Sequence, residues 1–214
     1  VGVLTQEVQF KLKMGVLKEN EIEPLTDQIQ TNLDYMSNTI NDFRNFFKPS
    51  KRKEMFDVRD TIHQSLAIIK PKLQEQHVQT IITDRNIHQD SAYQTCGYEN
   101  ELRQVIINIL TNACDAIAKR VQIDSDIEGV IEIEMSRVKQ DITIHISENG
   151  GGIDTVVIQK IFEPYISTKE EQQGTGLGLY MSKLIIEKNM QGTLDAKNIK
   201  QGARFTIVLP VCEN

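Results

Sequence analysis

The chain has 214 residues, 39% hydrophobic and 25% charged, which suits one large soluble globular domain or two modest ones. Its net charge of -6 weighs against a nucleic-acid surface, since such domains are usually basic. No apolar run approaches the roughly 18 residues of a membrane-spanning helix, and VGVLTQEVQF lacks the basic-then-apolar order of a secretory signal.

The first elements are helical. Leu4, Val8 and Leu12 recur at helical spacing, and Gly15 to Glu23 reads as a connection. Pro24 suits the first turn of a second helix. From there Leu25, Ile29, Leu33, Met36, Ile40, Phe43 and Phe47 form a stripe with steps of three and four, the seam of a helix bundle. Residues 1–50 are therefore expected to be a helical hairpin. Two helices bury little, so a second copy would complete a four-helix bundle. The alternative is a hairpin packed on its own downstream domain.

KPSKRKE, Lys48 to Glu54, is a polar break containing Pro49, and a second domain is expected over 51–214. There a helix over Val58 to Lys70 carries Ile62, Leu66 and Ile69 on one face. Another, from about Asn100 to Arg120, carries Leu102, Val105, Ile106, Ile109, Ala113 and Ile117. VIEIEM, DITIHI and ARFTIVL alternate with the period of strands. A last helix follows GTGLGL and runs through YMSKLIIEK. This order predicts an α+β fold, a two-layer sandwich with helices on a single face of one sheet. Cys96, Cys114 and Cys212 are odd in number, widely separated and in no metal-ligand spacing. They read as reduced cytosolic thiols, with Cys114 a small core residue.

Four segments carry chemistry. In QVIINILTNACDAI, Asn108 and Asn112 stand one turn apart beside the apolar stripe. Their amide oxygens are hard neutral donors able to hold Mg²⁺ while leaving most coordination to phosphate and water. A solvated helix face explains the pair equally well. In SENGGGI, Ser147 to Ile153, a carboxylate ends a strand and three glycines follow. Glu148 could accept from a purine amine while Gly150 to Gly152 let the base approach. A tight turn would account for one or two glycines but hardly for three. In IFEPYISTK, Phe162 and Tyr165 could pin a loop and Lys169 could reach a phosphate; an amphipathic turn at Pro164 serves as well. In GTGLGLYMSK, Gly174 to Lys183, glycines precede a helix, where free N–H groups favour an anion. It is neither a Walker loop nor a dinucleotide fingerprint.

Taken together, Asn-x-x-x-Asn, then Glu-Asn-Gly-x-Gly-Ile, then Phe-Glu-Pro-Tyr, then Gly-Thr-Gly-Leu-Gly-Leu resemble the four sequence boxes of sensor histidine kinases. That family shares a Bergerat-type ATP-binding fold with DNA gyrase, mismatch-repair ATPases and heat-shock chaperones. LDYMSNTINDFRNFF resembles the second helix of the family's dimerisation and histidine-phosphotransfer hairpin. The resemblance implies ATP and Mg²⁺ as cofactors, with Asn112 on the metal and Asn108 assisting at the triphosphate. It implies Glu148 at the adenine amine, with Gly150, Gly152 and Ile153 shaping that wall and Asp115 nearby. Phe162 and Lys169 would belong to a lid, and Gly174, Thr175, Gly176, Leu177, Gly178 and Leu179 would line the phosphates. It further implies a homodimer through the hairpin, phosphoryl transfer to a histidine and then to the aspartate of a response-regulator receiver domain, and a cytoplasmic location. Any membrane anchor would lie in regions outside this chain.

Two departures qualify the resemblance. The family's adenine-facing acid is almost always Asp, and Glu148 extends the carboxylate by about 1.5 Å. Weaker adenine binding is expected, by ~1–3 kcal/mol if the hydrogen bond is lost. The family's acceptor histidine box is also missing. His63, His77, His88 and His145 lie elsewhere, so the chain is expected to bind nucleotide without phosphorylating itself, the acceptor lying before Val1. Two alternatives stay open. One is a hydrolytic ATPase, although such relatives carry a general-base Glu where Asn108 stands. The other is a degenerate module that uses neither ATP nor transfer.

Overall fold

Two helices open the chain, α1 (Gly2–Lys13) and α2 (residues 21–31), in a computed structural model that describes residues 2–15, 21–31, 33, 37, 53–86, 93–166 and 176–212. A turn at Met14 and Gly15, the glycine at φ 67°, ends α1. Residue 21 is already helical, ahead of the expected end of the connection, and Lys11 pairs with Glu21 at 3.7 Å. Leu25 and Ile29 are half-buried along one face, as their spacing predicts. Leu12 departs from its expected stripe: with Phe10 and Met14 it is exposed, at 66%. Met36, Ile40, Phe43 and Phe47 lie outside the described residues, as does the break at 48–52.

Contacts divide the chain into two compact units, Val1–Lys48 with Tyr165–Leu177, and Pro49–Pro164 with Gly178–Asn214. The second unit runs β1 (Glu54–Asp57), α3 (Val58–Glu75), β2 (Gln79–Asp84), β3 (Gln94–Gly97), α4 (Glu99–Ile123), β4 (Val130–Val138) and β5 (Asp141–Glu148). It continues with α5 (Gly178–Leu184), whose last turn widens into a π-helical segment (Ile185–Asn189), then β6 (Thr193–Ile199) and β7 (Gly202–Pro210). β1 and β3 form a two-stranded ribbon, and the main sheet has the order β2-β4-β5-β7-β6. β2 runs parallel to β4, and the other neighbours are antiparallel.

The period-two pattern explains the layers. Ile131, Ile133 and Met135 on β4, Ile142, Ile144 and Ile146 on β5, and Ala203, Phe205, Ile207 and Leu209 on β7 are all buried on one face. Polar side chains take the other face, where Glu134 lies opposite His145 and His145 opposite Thr206. Only one face can therefore accept helices, and this is the expected α+β two-layer arrangement. α4 packs on β4, β5 and α3 through a stripe that includes Leu102, Val105, Ile106, Ile109, Ala113 and Ile117. Each large apolar side chain fully buried there contributes about 1.5–3 kcal/mol over leaving it exposed. α3 outruns its expected end at Lys70 and passes through Pro71, because Leu73 is still a core position. Asp57 caps its start by accepting from the Arg59 N–H at 2.8 Å.

The cysteines correct an expectation. Cys114 is buried and free, but Cys96 and Cys212 form a disulfide across 116 residues. The fold causes it. The segment after β7 lies beside β3, with the Cys212 N–H donating to the Gln94 carbonyl at 2.9 Å and Thr95 Oγ1 donating to the Pro210 carbonyl at 2.8 Å.

Candidate functional site

The strand β5 delivers Glu148 to the start of the glycine loop, where it is 5% exposed. Both carboxylate oxygens turn back onto backbone: Oε2 accepts from the Gly150 N–H, and Oε1 from the Ala203 N–H at 2.7 Å. Burial pushes its pKa above the ordinary carboxylate value, against the pull of those two N–H groups and of the Arg120 charge. The longer acid therefore bridges the loop to β7. Each oxygen still has a second lone pair for a further donor.

Each of the three glycines has a cause inside the fold: a turn at positive φ accounts for two of them, and close packing on α4 for the third. A Cβ on Gly150 would stand 2.6 Å from the Ala116 carbonyl carbon and 2.7 Å from the Ile117 nitrogen, so the loop lies flush on the α4 backbone. Gly151 and Gly152 adopt φ of 98° and 87°, a region that L side chains rarely occupy. Asn198 on β6 grips the far end of the loop, accepting from the Ile153 N–H at 2.8 Å and donating to the Ile153 carbonyl at 2.6 Å. Asn149 fastens the near end, donating to the Glu128 carbonyl at 2.7 Å and accepting from the Val130 N–H at 2.9 Å.

Along α4, Asn108 faces the start of α5. Its Nδ2 donates to Ser182 Oγ at 3.0 Å, and Ser182 Oγ donates to the Gly178 carbonyl at 2.9 Å. A Cβ on Gly178 would come within 2.5 Å of Asn108 Oδ1, so a side chain there would push the amide aside. Asn112 is half-buried one turn further along α4. Asp115 sits next in the chain but pairs with Lys72 of α3 at 2.5 Å, an ion pair that ties the two helices. Among the described residues no group of three or more His, Cys, Asp and Glu is placed to hold a metal. The amide oxygens of Asn108 and Asn112 are hard neutral donors, a type that could serve a magnesium ion whose other ligands come from elsewhere.

The remaining expected residues fall in both units. Phe162 lies 4.7 Å from Lys183 Nζ, which stands over its ring. In the other unit the Tyr165 N–H donates to the Gly176 carbonyl at 3.0 Å, with Gly176 at φ 64°, and Leu177 is buried. Leu179 on α5 is half-buried. Lys169, Gly174 and Thr175 lie outside the described residues, as does His88.

Three residues escape motif reading: Arg120, Asn198 and Ser182. Arg120 and Asn198 belong to no motif, Ser182 is an unmarked place in the last glycine segment, and each bonds to a residue distant in sequence. The one usable signal is that Ser182 follows the last glycine run by a single helical turn.

Comparison with known proteins sets this geometry in context. The family model described as histidine kinase-, DNA gyrase B-, and HSP90-like ATPase matches residues 97–213. The two-component sensor PprA of Pseudomonas aeruginosa is 38% identical over 117 residues, 54% of this chain and 12% of that protein. The sensor histidine kinase ZraS of Escherichia coli O157:H7 is 28% identical over 193 residues, 89% of this chain and 39% of that protein. The chain thus spans well under half the length of these curated relatives. Among solved structures, histidine kinase ThkA in complex with the response regulator protein TrrA superposes with a TM-score of 0.66 at 18% identity, covering 98% of this chain and 57% of that one. At that identity the likeness shows the fold alone. With more than half of its length matched, the chain belongs to the family of histidine kinase-, DNA gyrase B- and HSP90-like ATPases, and its relatives there are sensor histidine kinases.

Proposed function

We propose that the chain is the ATP-binding catalytic region of a sensor histidine kinase, which passes the γ-phosphoryl group of ATP to a histidine and then to an aspartate of a response regulator. One observation carries this reading. A single helix, α4, meets one glycine segment at Asn108 and another at Ala116 and Ile117. Those contacts are eight residues apart, about 12 Å of helix, a span suited to an extended nucleoside triphosphate. The purine would lie toward Glu148 and Gly150, with Gly152 and Ile153 completing its wall. The phosphates would lie toward Asn108, Asn112 and Gly178.

The chain's own residues position the nucleotide; little covalent work falls to them. Magnesium, when bound, would offset charge on the β- and γ-phosphates, with Asn112 and Asn108 as its protein donors. The acceptor imidazole nitrogen forms the new bond to phosphorus as the bond to ADP breaks. No histidine of this chain stands in an acceptor box, and His63 and His77 are exposed on or just after α3, so the chain does not phosphorylate itself. Asn108 also lacks the proton affinity of a general base, which favours transfer over hydrolysis.

A homodimer through the N-terminal helices fits the exposed Phe10 and Leu12 on α1 and Met14 just after it. A receiver domain is the expected partner, as for ThkA, and the cytoplasm the expected location. The Cys96–Cys212 bond is at odds with a reducing compartment. Among the described residues no helix is long and apolar enough to cross a membrane.

A second reading, a module that has lost nucleotide binding, draws on Glu148, whose oxygens are both engaged by backbone. Calorimetric titration with Mg-ATP separates the two. Saturable binding with a raised melting temperature is expected; no binding would leave the second reading. Incubation with γ-labelled ATP should leave no acid-labile label on the chain, and steady hydrolysis would point to an ATPase instead.

A further inference from the structure

The geometry points to Arg120 as a positioning residue for the purine-facing loop, an inference that rests on the nucleotide reading above. Arg120 sits in the last turn of α4, and its Nη1 donates to two carbonyls, those of Asn149 and Gln201, at 2.6 Å each. The first lies between Glu148 and Gly150. The second lies in the β6–β7 turn and also accepts from the Gly151 N–H at 3.1 Å. One guanidinium therefore joins three pieces of chain: the helix, the loop and the hairpin.

The loop needs that tie because its close packing is on bare backbone, that of Ala116 and Ile117 against Gly150, while its other side is open. Behind Gly150 and Gly151 lies an open cleft of about 440 Å³ whose other walls include Lys119, Arg120, Ile123 and Gln201. Three consecutive glycines offer no side chains to pack, so hydrogen bonds and the backbone contact of Gly150 with α4 fix their place. Glu148 and Asn198 hold the ends, and Arg120 holds the middle. A charged donor makes stronger bonds than a neutral one, and its planar fork loses less freedom on binding than a lysine would. Displacing the Asn149 carbonyl moves both chain neighbours, hence the carboxylate and the flat surface that would meet a purine.

The test uses the chain as it stands, with Arg120→Ala and Arg120→Gln, against Mg-ATP and Mg-purine riboside triphosphate, which lacks the 6-amino group. Arg120→Ala should weaken ATP about 10- to 150-fold, the range for a charged hydrogen bond, and the analogue much less, so that the ATP preference collapses. Arg120→Gln, keeping one neutral donor, should fall between, and it serves if the alanine variant does not fold. Hydrogen exchange without nucleotide gives an independent reading. The amides of Gly150 to Gly152 should exchange at least about tenfold faster in either variant, with those of Leu102 to Ile109 unchanged. A folded variant that keeps both the wild-type preference and the wild-type loop exchange overturns the inference. Wild-type protein that binds neither nucleotide, yet shows the exchange effect, overturns the purine role while leaving the tie in place.

Discussion

Replacing Gly150 with alanine tests how closely the glycine loop lies on α4. The new methyl would stand 2.6 Å from the Ala116 carbonyl carbon and the same distance from Glu148 Oε2. Ordinary contact begins near 3.4 Å, so about 0.8 Å must be found. The helix cannot yield it, since the neighbouring Ile117 is 1% exposed in the core. The loop must lift instead, at ~1–3 kcal/mol for overpacking. In a domain of this size each 1 kcal/mol moves the melting temperature by about 2–4 °C, so a fall of about 2–12 °C is expected. The sign is decisive. Gly150 does not occupy the left-handed region, and where there is room a glycine-to-alanine change of that kind stabilises by about 0.4–1 kcal/mol. Thermal unfolding followed by circular dichroism, together with Mg-ATP titration, reads both consequences. An alanine variant that melts at or above the wild-type temperature and binds nucleotide unchanged would refute the flush contact.

Glu148→Asp shortens the carboxylate by about 1.5 Å, too far to keep both the Gly150 and Ala203 N–H groups, and should cost ~1.5–3 kcal/mol of stability. The same change should tighten Mg-ATP by about fivefold or more as the acid regains the family's length; equal affinities would end that idea. Burial and then the Arg204 charge hold His145 below its ordinary pKa of 6.5. The folded state therefore binds fewer protons than the unfolded one, and stability present above pH 6.5 is lost as pH falls through the lowered value. His145→Gln, which can keep a bond to Thr206 Oγ1, should flatten chemical-denaturation stability as pH falls below 6.5; an unchanged slope would discount the histidine. Reducing the Cys96–Cys212 bond reopens a loop of 116 residues, worth up to ~4–5 kcal/mol in chain entropy. Dithiothreitol should lower the melting temperature of wild type but not of a Cys96→Ser, Cys212→Ser variant, and mass spectrometry should find Cys114 unmodified in both.

Regular elements were written plainly in the residue order. The stripe from Leu102 to Ile117 records one buried face of α4, and the alternation in β4, β5 and β7 records one buried face of a sheet, because local periodicity is what such burial leaves behind. The order of asparagine and glycine segments likewise identified the family. β1, β2, β3 and β6 left no such record. They are short or polar, β6 buries only Leu194, and they exist because neighbouring strands offer them partners. The cause of each glycine, the disulfide, the turning-back of Glu148 and the grip of Arg120 and Asn198 were decided by tertiary structure alone. The disulfide, the Gly150 contact with α4, the Glu148 bond to Ala203 and the grips of Arg120 and Asn198 join residues far apart in sequence, and such a contact imposes no spacing on the residues around it.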